Sequence, residues 1–382
     1  MASRRHWHFS FLSAVVGAAL LAACGGGDSE LDVGKVVSFG DSLSDLGTYT
    51  AVTQIPLGQA AGVPPFLAGR FTTNTHTGYT ATSNTNAATI WVEWVAARVG
   101  VPITPAMAGF GPTRRPCPVA LTNPALADSC TAYGQGGARV TNPAGWKNES
   151  GFLTDPLATQ VAAHLAKFGG FSSSDIVFAW TGGNDFLVQM RDLGQGLITP
   201  TAAVANMQTT GTELATLIKD QIVAKGAARV VAMTLPDPAL TPDYSALPAE
   251  NKAFLTQMTN AYNGALLAGL SGTNVQIIDA GAWFADVVSR PAAYGFANAT
   301  GASCDATKMP AVSAGSALFC NTAPAALFTA AGLPNLSALA TGANPATWFF
   351  ADGFHPSTGG HKAFGDFVIS KIKEFGWIPA NI

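Results

Sequence analysis

Short apolar runs alternate along this chain with stretches in which apolar positions recur every three or four residues. Residues 35–39, 175–181, 228–234 and 274–279 are nearly continuous apolar runs, and 131–140 begins as one before entering a Gly-rich turn. Such runs mark strands buried on both faces. Between them, Leu157, Val161 and Leu165 repeat at helical spacing within 154–168, and Trp91, Trp94 and Val95 form a stripe within 87–99 that reads as core. Further helices are expected at about 201–225, 248–271 and 358–374, with another beginning at 283–288. Strand and helix in alternation imply an α/β fold: a three-layer α/β/α arrangement with a five-stranded parallel sheet. The ligand of such a sheet lies at the carboxyl ends of the strands. That rule puts Ser42, the turn Gly134-Gln135-Gly136-Gly137 and Asn184 along one edge. Residues 104–130 read as Pro-rich loop and 296–346 as an Ala/Gly/Ser-rich excursion, both insertions on a single domain over 35–382.

Composition adds a compartment. Of the 382 residues 48% are hydrophobic and 11% charged, ample for a large core. A net charge of −3 gives no basic field for nucleic acid. Arg4 and Arg5 precede an apolar run from Phe9 to Ala23, too short for a comfortable membrane span. Residues 1–23 are therefore expected to be a signal peptide. Leu21-Ala22-Ala23-Cys24 resembles a bacterial lipobox, which implies lipidation of Cys24 and a flexible tether over 24–34. The other reading is an ordinary signal peptide with a chance cysteine. Gly25, rather than Asp, after Cys24 follows the lipoprotein rule for outer-membrane sorting. The expectation is an exported protein of the bacterial cell envelope, anchored by lipid, or secreted. Of five cysteines, setting Cys24 aside leaves an even set in an exported chain, hence two disulfides. Among the three possible pairings, Cys117–Cys130 and Cys304–Cys320 each staple one loop. No Cys-x-x-Cys or His-Glu-x-x-His pattern points to zinc.

The chemistry is carried by short blocks. Val36-Val37-Ser38-Phe39 runs straight into Gly40-Asp41-Ser42, a strand meeting a tight turn and then a helix. A serine at that turn can be a nucleophile whose own amide helps bind an oxyanion. Equally, Asp41 or Ser42 can simply cap the helix. Near the C-terminus, Asp352-Gly353-Phe354-His355-Pro356 sets a carboxylate three residues before an imidazole, the spacing of an orienter and a base. Among the other histidines, His164 reads as a solvated helix position and His361 as an early residue of the last helix.

Together the blocks resemble the SGNH, or GDSL, hydrolase family. Gly40-Asp41-Ser42-Leu43 matches its nucleophile block, and Tyr133-Gly134-Gln135-Gly136-Gly137 its glycine block. Gly182-Gly183-Asn184-Asp185 matches its asparagine block, and Asp352-x-x-His355-Pro356 the last. The match runs in family order over about 35 to 375. Thr48 stands where the family often has Asn after glycine, and Ala132 where Asn usually opens the glycine block. The resemblance implies a flavodoxin-like sheet, with Ser42, Asp352 and His355 as catalytic residues. It gives the oxyanion to the Ser42 amide, the Asn184 side chain and the Gly137 amide, with Gly136 as the fallback. Asp45 and Asp185 are expected to tie the turns, and Asp237-Pro238 to be structural or part of a pocket wall. No metal or cofactor is needed by this chemistry. The function expected is a serine lipase or esterase acting on small-molecule or lipid acyl esters. Carbohydrate deacetylation and acyl transfer use the same triad, whereas a non-catalytic binding module predicts a broken one. Acyl length and oligomeric state are not legible.

Overall fold

A computed structural model describes residues 33–49, 69–79, 84–109, 114–147, 154–309, 314–322 and 337–382. The expected signal peptide, Cys24 and the tether up to residue 32 lie outside them. The strands are β1 (Val36–Gly40), β2 (Thr104–Pro105), β3 (Cys130–Ala132), β4 (Ile176–Trp180), β5 (Arg229–Met233) and β6 (Gln276–Ile278). They form one sheet in the order β6-β5-β4-β1-β3-β2, every pairing parallel. Leaving β2 aside, the order is that of flavodoxin-like sheets, in which the strand sequence reverses direction at β1.

The sheet has six strands, not five. The addition is β2, a two-residue strand inside the stretch read as Pro-rich loop. It lies at the edge, where Pro105 takes away no interior ladder bond. The strand expected over 131–140 is also shorter, three residues ending at Ala132, because the glycines after it turn the chain away.

The helices are α1 (Trp91–Arg98), α2 (Leu157–Phe168), α3 (Gly183–Gly194), α4 (Pro200–Leu217), α5 (Ala249–Leu270), α6 (Ala280–Ser289) and α7 (Thr358–Glu374). After α4 the chain continues through a π turn, Ile218–Ile222, and a 3-10 turn, Val223–Lys225, so the helical stretch expected to 225 changes pitch at its end. Alternation along the strands sorts the two cores. Val36, Ile176, Phe178, Trp180, Val231 and Met233 pack with α1, α6 and α7. Val37, Phe39, Val177, Ala179, Val230 and Ala232 pack with α2, α3, α4 and α5. This is the three-layer arrangement that period-2 burial on both faces dictates. Trp91 is fully buried, edge-on to Phe178 and Trp180.

His164 corrects the sequence reading. It is 1% exposed, stacked on Phe171 and edge-on to Phe39 and Tyr133. Burial, the main cause, pushes its pKa down to about 4, so the ring is neutral.

The excursion over 296–346 has structure of its own. Asn298–Ala302 pairs in parallel with Trp348–Phe350, just before the Asp352–His355 block. The cysteines pair as Cys117–Cys130 and Cys304–Cys320. Among the described residues no helix is long and apolar enough to cross a membrane.

Candidate active site

Register brings the blocks together. Gly40 pairs with Trp180, so β1 and β4 end level with each other. On the other side Ser38 pairs with Ala132, and the Gln135 amide donates to the Gly40 carbonyl beyond the ladder, at 3.2 Å. Ser42, the 134–137 turn and Asn184 therefore leave the sheet side by side at the reversal of strand order. Gln160 on α2 grips the end of β1: its Oε1 accepts from the Gly40 amide and its Nε2 donates to the Gly40 carbonyl, both at 2.8 Å.

The segment after β1 is a single 3-10 turn, Ser42–Ser44, rather than a helix. Asp41 caps it by accepting from the Leu43 amide at 3.1 Å, which leaves Ser42 to present its hydroxyl. With so short a turn, no helix dipole acts on Ser42; its amide can serve an anion through direction alone. Asp45 then ties its own turn to the glycine block, accepting from the Gly47, Thr48 and Gly136 amides at 2.6–2.8 Å.

The C-terminal block closes over this edge. His355 Nε2 lies 2.8 Å from Ser42 Oγ. On the other side of the ring Nδ1 lies 2.8 Å from Asp352 Oδ2 and 3.0 Å from Oδ1. Asp352 also accepts from the Phe354 and His355 amides at 2.9 and 2.7 Å and from the Ala317 amide at 2.6 Å. Burial disfavours the Asp352 charge, but the imidazolium and these donors outweigh it and hold its pKa below the ordinary 3.8. Burial alone would lower His355; the Asp352 charge and hydrogen bond, with Asp41 and Asp243 beyond, carry it above the ordinary 6.5. Phe71 covers the imidazole, ring centres 5.1 Å apart.

On the far side of Ser42, Asn184 is buried and its Nδ2 donates to the Ala138 carbonyl at 2.9 Å, which leaves its second N–H uncommitted. Gly182, two residues earlier, has φ +120, and a Cβ there would meet the Tyr262 ring at 2.7 Å, so the turn that aims Asn184 needs glycine. The two glycine candidates differ. The Gly136 amide is consumed by Asp45. Gly137, at φ +86, donates to no protein group among the described residues, and neither does the Ser42 amide. Asp185 links this turn to the glycine block through Arg139 at 2.8 Å and the Val140 amide at 3.0 Å.

Burial, its largest cause, raises Asp41 to about 6. His361 is buried in α7; its Nδ1 accepts from the Trp91 amide at 3.4 Å, which fixes it as a neutral core histidine. A cleft of about 470 Å³ at the ends of β5 and β6, lined by Asp237, Asn263 and Asp279, shares no residue with this group. Asp237 there caps a 3-10 turn, accepting from the Ala239 amide.

Gln160, which holds Gly40, and the Ala317 amide, which meets Asp352, have no sequence signature. Asn74 crosslinks the segment 69–74 to the excursion at Ala317, Leu318, Cys320 and Thr322. The stripe of Leu157, Val161 and Leu165 marked the helix that carries Gln160 but not its polar role.

No curated protein matches this chain. A family model, GDSL-like Lipase/Acylhydrolase, matches residues 36–368. The chain belongs to that family of acyl-ester hydrolases.

Proposed function

Starting from that membership, we propose that the chain cleaves carboxylic acyl esters through an acyl-enzyme on Ser42. The observation that carries the reading is the continuous file Ser42 Oγ, His355 Nε2, His355 Nδ1, Asp352 Oδ2, each step 2.8 Å between side chains. In its neutral form His355 takes the Ser42 proton on Nε2 as Oγ bonds to the ester carbonyl carbon. Asp352 holds the tautomer and stabilises the imidazolium. The carbonyl oxygen becomes an oxyanion, received by the Ser42 amide, the Gly137 amide and the free N–H of Asn184. The bond to the alcohol oxygen breaks as Nε2 returns the proton to it. A water then gives a proton to Nε2 and its oxygen to the acyl carbon; the acid leaves and Ser42 is reprotonated.

Phe71, with Leu318, Tyr49 and Phe319 packed beside it, gives the side of the site next to His355 an apolar wall. That wall supports apolar acyl groups. Hydrolysis of p-nitrophenyl esters from acetyl to palmitoyl, beside Ser42→Ala, tests the reading. Activity lost in the variant supports it, and a folded wild type inert on every chain length overturns it.

The same proposal has the protein exported and lipid-anchored at Cys24. The two disulfides, which suit an oxidising compartment, support export. Cell labelling with a radioactive fatty acid checks the anchor: label that persists in Cys24→Ser sinks it.

A further inference from the structure

Among the described residues Asp352 has one donor from outside its own loop. The Phe354 and His355 amides belong to the turn that Asp352 opens. The Ala317 amide comes from the 296–346 excursion and meets Oδ2, the oxygen nearest His355 Nδ1. Ala317 begins a short 3-10 turn, Ala317–Phe319, capped by Ser316. Such a turn has too few internal bonds to hold itself in place.

Asn74 holds it. This side chain is fully buried, and its Nδ2 lies 3.1 Å from the Ala317 carbonyl and 3.4 Å from that of Leu318. The same group reaches the Arg70 and Thr72 carbonyls at 3.0 and 3.1 Å. Its Oδ1 accepts from the Arg70 amide at 2.9 Å and from Asn86 Nδ2 at 2.8 Å, which fixes the flip of the amide. The Asn74 backbone continues the connection: its amide donates to the Cys320 carbonyl, and its carbonyl accepts from Thr322, both at 2.8 Å. From the other side the turn is bonded through Cys320 to Cys304, whose amide donates to the Ala351 carbonyl at 2.9 Å, one residue before Asp352.

We infer that Asn74 is a positioning residue for the Asp352–His355 pair, acting through the Ala317 amide. The inference rests on the Ser42 mechanism above. The Ala317 N–H shares Oδ2 with the imidazole, so it pins the carboxylate's rotation and takes up part of its charge. Removing that donor has two consequences. The carboxylate is free to turn, so His355 is less well aimed at Ser42. The charge left on Oδ2 grows, which favours the imidazolium and raises the His355 pKa further. Asn74 bonds neither Ser42 nor His355 and has no part in the proton transfers themselves.

The test uses kcat/KM against pH for the wild type, Asn74→Ala and Ala317→Pro. Ala317→Pro deletes the N–H and sets its ring carbon where the hydrogen met Asp352 Oδ2, so it removes the donor and pushes the carboxylate off it. The backbone itself allows the change, since the first position of a helical turn accepts proline and Ser316 before it is extended at ψ 134. Both variants are expected to lose about ten- to a hundredfold in kcat with little change in KM. In both, the acid limb of kcat/KM moves to higher pH. The double variant falls no further than the worse single one, since both act on one bond. Should Ala317→Pro not fold, the His355 Nδ1 proton resonance in Asn74→Ala decides: it shifts if the Ala317 bond is lost. A folded Asn74→Ala with an unmoved acid limb and an unshifted resonance overturns the inference, whatever its stability. Failure of the Ser42 reading is separate, because it shows as a wild type with no esterase activity or as full activity in Ser42→Ala.

Discussion

Gln160 holds Gly40 by both of its backbone polar groups, 120 residues away in sequence. Gly40 is the last residue of β1, two before Ser42, and a third bond from Gln160 Nε2 to the Asp155 carbonyl at 2.9 Å fixes the side chain. Gln160→Met keeps the length and removes the bonds, leaving the buried Gly40 amide without a partner and its carbonyl with the Gln135 amide alone. The expected loss is about 1–3 kcal/mol of unfolding free energy. Urea denaturation measures it, and a midpoint equal to wild type would refute the role.

Asn184→Ala deletes one N–H of the proposed oxyanion hole and the bond to Ala138. The expected loss is about 10²–10³ in kcat, with residual activity above that of Ser42→Ala. Steady-state kinetics on one p-nitrophenyl ester is sufficient. A change confined to KM would mean that Asn184 binds the ground state and not the oxyanion.

The pH dependence follows from the direction of the His355 shift. As the proposed base, His355 acts when neutral, so activity falls as pH drops through its pKa. That pKa stands above the ordinary 6.5, because Asp352 outweighs burial, so the acid limb lies above 6.5. Asp352→Asn removes the charge and the main upward influence. Its acid limb is expected at lower pH than wild type, on a much lower plateau. An unmoved limb in this variant would assign the titration to another group.

Asp41 offers a stability test. Its folded pKa, about 6, lies above the ordinary 3.8 because burial disfavours the charge. A raised carboxyl binds its proton more tightly folded than unfolded. Its contribution is therefore fully present below 3.8 and is lost as pH rises through about 6. The loss amounts to about 3 kcal/mol at pH 7. Asp41→Asn keeps an acceptor for the Leu43 amide and removes the ionisation. The stability difference between variant and wild type should therefore move in favour of the variant from pH 4 to 7. A difference independent of pH would contradict this.

The blocks that converge at the strand ends were legible because each is local. An apolar run ending in Gly-Asp-Ser, or an Asp three residues from a His, can be read within ten residues. What was not legible is either short or distant. Thr104–Pro105 is too brief to show a period and carries a residue that ordinarily argues against a strand. The Ala317 amide is backbone, so no side-chain pattern announces it. Asn74 and Gln160 look like any polar residue until their partners come near. His164 is a different case: it stands seven residues after Leu157 and three after Val161, on the apolar stripe of α2, where position and not polarity sets its burial. In an aromatic setting a neutral imidazole packs as a ring, which the spacing permitted.

Mass spectrometry of protein quenched in acid during turnover of a p-nitrophenyl ester asks most directly whether Ser42 carries the acyl group. The expected result is a mass increase of one acyl group on the peptide containing Ser42, absent from Ser42→Ala and accumulating in Asn184→Ala only as fast as its slowed acylation allows. An acyl group on any other residue, or turnover at the wild-type rate in Ser42→Ala, would contradict the mechanism.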